Sequence, residues 1–185
     1  MSSIGGFGSW AHLAGRFFGA LSPAGPSPAD QAWALGLLAE GEQALWWRMS
    51  GPDRRHAVEV AKLVAESLGP EPPPRKVLAA ALLHDVGKVE PSLGTFSRVA
   101  VTLAAIAFGR TRLLAWSAAA PAEGGGSWRK RTGQYLSHDE LGAQLLREAG
   151  SDDFTVTWAR EHHLPQERWS LDARVASALK AADGD

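Results

Sequence analysis

Five of the six histidines in this chain fall into one ordered series with two aspartates: His56, His84-Asp85, His138, His162-His163 and Asp183. Imidazole nitrogen and carboxylate oxygen are donors that borderline divalent metals accept, so Mn, Fe, Co, Ni and Zn all suit the set. The donors are numerous enough for two ions. His84 and Asp85 are the pivotal pair. Neighbours on a helix project about 100° apart, so both reach one ion only where the helix ends. Gly87 supplies such an end, and the two oxygens of Asp85 allow it to bridge two ions while His84 binds one. The competing reading of the pair is a buried His-Asp hydrogen bond that fixes the helix end. Asp172 competes with Asp183 for the closing position, but it starts its helix and reads better as a cap.

Composition bounds what surrounds these residues. The chain has 185 residues, 45% of them apolar and 21% charged, which suits one soluble globular unit with its own core. A net charge of −1 gives no global attraction to nucleic acid or to anionic membranes, and no nucleic-acid partner is expected. Phosphate affinity must then be local. The absence of cysteine removes disulfides, zinc-thiolate sites and thiol nucleophiles together, and fits a cytoplasmic protein. Residues 1–21 carry Trp10, Phe17 and Phe18 but no basic n-region, and Gly5, Gly6, Gly8, Gly15 and Gly19 punctuate them. That pattern is not a cleaved signal. The apolar stretch 99–120 is broken by Arg110 and Arg112, short of the roughly 20 residues a membrane-spanning helix needs. No membrane span is expected.

The elements that must position the series are all helices. Residues 1–49 read as an N-terminal extension ending in a helix that starts at Pro28, with Ser27 as its cap and Trp33, Leu37, Leu38, Leu45 and Trp46 on one face. Ser50-Gly51-Pro52 ends it. Asp53 is the expected cap of a second helix bearing His56, Val60, Val64 and Leu68, followed by a proline-rich connector over 69–74. The nearly all-apolar segment 77–86 reads as a helix stopped by Gly87, with His84 and Asp85 in its last turn. Residues 91–133 look like an insertion: a hydrophobic hairpin over 99–120, a triple glycine over 124–126, and Trp128-Arg129-Lys130-Arg131. Three further helices are expected near 138–149, 152–163 and 171–183, the second capped by Asp152 or Asp153. No alternating strand pattern is present, so the fold class is all-α.

His56, the segment Leu82-Leu-His-Asp-Val-Gly-Lys88, His138, His162-His163 and Asp183 together resemble the HD-domain superfamily of metal-dependent phosphohydrolases. They are most similar to its two-metal branch, which includes the HD-GYP proteins and the membrane-anchored cyclic-di-AMP phosphodiesterases. The likeness covers 50–185 in the family's order, with His56 preceding His84 by 28 residues and His138 preceding His162 by 24. It implies a helical bundle around a dinuclear centre, with His56, His84, Asp85 and Asp183 about one ion and Asp85, His138 and His162 about the other. His163 is implied as a further ligand or a substrate contact, and Lys88 as a phosphate contact that stabilises the transition state beside the catalytic Asp85.

The implied activity is hydrolysis of a nucleotide or related phosphoester by a metal-activated water. The alternatives are a mixed-valent di-iron oxygenase on the same ligands and a non-catalytic regulatory module. Arg129 and Arg131, with Lys130 between them, are candidate phosphate-gripping residues, although three like charges in a row are more often a solvated face. Two departures narrow the expectation. After His163 the chain reads Leu164-Pro-Gln-Glu-Arg-Trp-Ser170 instead of Gly-Tyr-Pro, which makes cyclic-di-GMP a poorer candidate. The long gap between Asp85 and His138 adds the hairpin, read as a lid or as a homodimer interface through residues 97–122.

Overall fold

A computed structural model describes residues 24–89, 95–118 and 128–184. Its centre is the segment with least to offer water. After Arg75 and Lys76, helix α4 (Arg75–Leu83) consists of Val77-Leu-Ala-Ala-Ala-Leu-Leu83, every one of them buried. A helix that is apolar on all sides must be covered on all sides. Helix α3 (Gly51–Ser67) packs along one flank and α9 (Asp153–Glu161) along another, while α1 (Pro28–Leu37) touches it from the N-terminal side. Helix α2 (Glu40–Arg48) completes the first part of the chain, α10 (Ala173–Asp183) lies on α3, and α8 (His138–Glu148) lies on α9. Trp46, Leu82, Leu146, Trp158 and Leu179 fill the space between them. Among the described residues all regular structure is helical, as the sequence predicts.

Several local boundaries follow their caps. Ser27 Oγ accepts from the amide of Asp30 at 3.1 Å, with Pro28 opening α1. Asp152 caps α9 through the amide of Phe154, and Asp172 caps α10 through the amides of Arg174 and Val175. Two expectations are corrected. The helix read through Ser50 is two helices, broken where Leu38 and Ala39 turn extended. The break is closed from the following turn: the Ala39 amide donates to Glu42 Oε2 at 2.8 Å, and Gln43 Nε2 donates to the carbonyls of Leu35 and Leu38. These side chains satisfy the backbone groups that a helix end leaves without partners. Ser50, not Asp53, caps α3: its Oγ accepts from the Asp53 amide at 3.3 Å, and Asp53 stands in the first turn.

Helix α4 stops at Leu83, so His84 and Asp85 occupy a turn beyond its end, before a short 3-10 turn over Val86–Val89. That turn packs directly on α8. A Cβ at Gly87 would lie 1.8 Å from the His138 carbonyl oxygen and 2.6 Å from the Gly142 amide nitrogen. Only a residue without a side chain lets the backbone after Asp85 meet the helix that carries His138. Gly87→Ala must therefore push the two apart. We expect it to cost about 1–3 kcal/mol, read by urea unfolding, and to weaken metal retention by separating Asp85 from His138.

Three more helices join this bundle beside α8. Helix α5 (Thr95–Phe108) meets α6 (Arg110–Ala118) at Gly109, whose φ of +86° turns the chain, and α7 (Trp128–Leu136) pairs with α6 and leads straight into α8. The expected hairpin over 99–120 is present as α5 and α6, and with α7 it shares a small cluster of Val101, Leu113, Leu114, Tyr135 and Leu136. The N-terminal segment through residue 23 and the triple glycine lie outside the described residues. No helix among the described residues is long and apolar enough to cross a membrane.

Candidate metal centre

Packing contacts converge the series. The contact of α3 with α10 brings His56 to Asp183, with Nε2 and Oδ1 3.1 Å apart. The contact of α4 with α9 sets the rings of His84 and His162 edge to face, their centroids 5.4 Å apart. The Val86–Val89 turn on α8 brings Asp85 to His138, Oδ1 lying 3.4 Å from Nε2. His56, His84 and Asp183 form one group and Asp85, His138, His162 and His163 another, each with ligand atoms within 4.8 Å of one another. Asp85 joins them. Its Oδ2 is 3.5 Å from His84 Nε2, and its Oδ1 is 3.9 Å from His162 Nε2. All seven residues singled out from the sequence are therefore together.

The histidines are oriented by one repeated device. His84 Nδ1 meets the carbonyl of Ala81 at 2.9 Å, His138 Nδ1 that of Tyr135 at 2.7 Å, and His162 Nδ1 that of Ala159 at 2.8 Å. Each ring uses the carbonyl three residues back, one that a helix end or helix junction leaves accessible. A carbonyl only accepts, so each Nδ1 carries its proton and the Nε2 lone pair faces the centre, where that of His138 meets His163 Nε2 at 3.1 Å. The Nε2 atoms of His84 and His162 are buried without a hydrogen-bond partner. His84 Nε2 lies 3.5 Å from Asp85 and 3.4 Å from Asp183, close enough for attraction but without hydrogen-bond geometry. Buried polar atoms left in this state are costly, and several pointing into one centre fit a cation there.

Electrostatics sharpen the same picture. Burial pushes the His84 imidazole down, but the carboxylates of Asp85 and Asp183 outweigh it and hold it at about 9. Burial pushes the Asp85 carboxyl up, and Lys88, His84 and His138 overcome this to keep it well below the ordinary carboxylate range. Asp183 is likewise held down against its burial by His84 and His56. His162 is driven well below the usual imidazole value by burial and by His163, and His163 falls to about 4 through burial and His138. Lys88 forms a short ion pair with Asp85 Oδ2, which overcomes burial and keeps its ammonium charged.

A cleft of about 300 Å³ opens beside the second group, lined by Lys88, His138 and His163 on one side and by Thr102, Arg110 and Tyr135 on the other. Thr102 and Arg110 come from the insertion and Tyr135 from the end of α7, and sequence reasoning missed all three. In the sequence Arg110 is only an interruption of an apolar run; in the fold it ties α6 to the Leu136 carbonyl and, at 2.7 Å, to Asp139 beside His138. Tyr135 lies against the His138 ring. Arg129 and Arg131 are not brought to the centre. The Arg129 guanidinium lies 4.6 Å over the Trp116 ring, Arg131 is exposed on α7, and neither lines the cleft. Trp128 and Trp169 face Trp116 and Trp158.

The sequence model of the HD domain family matches residues 54–183, a span that holds every ligand candidate. The chain belongs to the HD-domain family. No curated protein and no solved structure matches it. Members of this family are in general metal-dependent phosphohydrolases, and the His and Asp groups of this HD domain can hold metal ions.

Proposed function

We propose that this HD domain hydrolyses a phosphoester of a nucleotide or related small molecule, using a dinuclear centre of divalent transition metal. The observation that carries the reading is Asp85, whose Oδ2 faces the Nε2 of His84 and whose Oδ1 faces the Nε2 atoms of His138 and His162. His56, His84 and Asp183 with Asp85 Oδ2 would hold one ion, and Asp85 Oδ1 with His138, His162 and His163 the other. Bound metal supplies Lewis acidity toward phosphoryl oxygens and brings the pKa of water toward neutrality.

The chain's own residues do the remaining work. The Nδ1 bonds to Ala81, Tyr135 and Ala159 fix the direction of each Nε2. Lys88 holds Asp85 Oδ2 and faces the cleft, where its ammonium meets negative charge growing on a phosphoryl group. His163, buried enough to stay neutral above about pH 5, can accept a hydrogen bond or bind an ion without repelling one. The cleft volume is at the small end of ligand sites, which suits a compact ester.

A screen of nucleotides, cyclic dinucleotides and generic phosphodiesters with metal-loaded protein tests the reading, run beside oxygen uptake by an iron-loaded sample. We expect phosphate or nucleoside monophosphate release without oxygen uptake. Oxygen uptake in place of hydrolysis transfers the centre to the di-iron alternative, and inertness in both arms leaves a regulatory module.

Proton linkage gives a further check. With His84 at about 9, its ring is protonated at neutral pH in the metal-free chain, whereas His162 and His163 are already neutral. An ion must displace the His84 proton, so affinity rises with pH up to about 9 and levels above it. Calorimetric titration in buffers of different ionisation enthalpy should read about one proton released per chain near neutrality. A pH-independent affinity below 8 contradicts this.

A further inference from the structure

The insertion carries a surface that the hydrolytic reading leaves unused. From Thr95 to Ser137 the chain has six basic residues, Arg98, Arg110, Arg112, Arg129, Lys130 and Arg131, against the single acid Glu123. That stretch is +5 in a chain of −1, so the remainder carries −6. Charge is unevenly divided along the chain despite its near-neutral total. On the same three helices Leu103 is 61% exposed, Phe108 63%, Trp116 39% and Trp128 50%, and these are four of the six large apolar side chains exposed among the described residues. Arg112, Lys130 and Arg131 are exposed beside them. The Trp116 and Trp128 rings meet at 5.9 Å with the Arg129 guanidinium over Trp116.

Exposed aromatic and aliphatic groups cost solubility unless something covers them. Basic side chains interleaved with tryptophan suit one environment in particular: the headgroup layer of an anionic bilayer, where ring edges and guanidinium groups stay hydrated and ring faces reach acyl chains. A second copy of this chain is a poorer occupant. A two-fold interface would set the exposed Arg112, Lys130 and Arg131 against their own copies. Nucleic acid would satisfy the charge but gains nothing from Leu103 and Phe108.

We propose that helices α5, α6 and α7 dock this protein peripherally on anionic lipid, with the acidic remainder of the chain turned away by repulsion. The cleft beside His138 is walled by Thr102 and Arg110 of the same helices, so docking holds its opening near the bilayer. The inference does not depend on what the centre hydrolyses.

Co-sedimentation of the full chain with vesicles tests it, using phosphatidylcholine alone and an equal mixture of phosphatidylcholine and phosphatidylglycerol. We expect binding only to the anionic vesicles, weakening as salt is raised, with a blue shift of tryptophan emission. Arg112→Glu with Arg131→Glu should lower partitioning at least about thirtyfold. Phe108→Ser with Trp128→Ser should weaken binding and reduce the blue shift, while helical circular dichroism is unchanged in both pairs. Equal binding to the two vesicle types, or none to either, overturns the proposal. So does a dimer in light scattering that Phe108→Ser abolishes, which would make the surface a self-interface, or tighter binding to a duplex oligonucleotide than to anionic vesicles.

Discussion

Asp85→Ala should release metal from both halves of the centre and lower turnover by about a thousandfold or more, equivalent to at least about 4 kcal/mol of transition-state stabilisation. The reason is its position: one carboxylate faces His84 and Lys88 through Oδ2 and His138 and His162 through Oδ1. No neighbouring carboxylate can replace it, because the nearest other one, Asp183, is engaged with His56 and His84. Asp85→Asn keeps the volume and one acceptor oxygen but not the charge, and should behave nearly as badly. Removing the charge also leaves the Lys88 ammonium and the His84 ring without their main partner in a buried place. Breaking one side of such a pair costs about 3–5 kcal/mol, so the metal-free variant should unfold at visibly lower urea. Elemental analysis, turnover and unfolding are the three readings. Asp172→Asn is the control. That residue caps α10 at the surface, and its variant should keep metal and activity at a cost of no more than about 1 kcal/mol.

Lys88→Met separates binding of metal from chemistry. The methionine keeps most of the aliphatic stem, and loss of the ammonium leaves Asp85 more available to a cation. Metal content should therefore hold or rise. Turnover should fall about a hundred- to a thousandfold, in kcat more than in KM, because the lysine acts on charge that grows as the phosphoryl group reacts. Parallel loss of metal and rate would instead make Lys88 a support for Asp85 alone. The ion pair between them makes that outcome a real alternative, and metal analysis on the same sample decides between the two.

The ligand series was legible because metal chemistry restricts residue type more tightly than packing does. His and Asp at His56, His84, Asp85, His138, His162 and Asp183 have few other reasons to sit among apolar helical positions, and the fold brings all six to one place with His163. Helix identity was legible for a similar reason. The all-apolar 77–83 run and the caps at Ser27, Asp152 and Asp172 each have one physical reading.

What stayed hidden depended on tertiary contact. The break at Leu38-Ala39 interrupts an unbroken apolar pattern and is held by Glu42 and Gln43, residues that favour helices elsewhere. Arg110 and Tyr135 enter the cleft only because α6 packs on α7, which leads into the helix of His138, an arrangement no local spacing announces. Arg129, attractive by charge, is taken by the face of Trp116.

Co-crystallisation with Mn²⁺, read by anomalous scattering, confronts the whole reading at once. Two peaks should appear, one among His56, His84 and Asp183 and one among His138, His162 and His163, with the Asp85 carboxylate between them. A map without a peak in this region, from crystals grown at saturating metal, would contradict it.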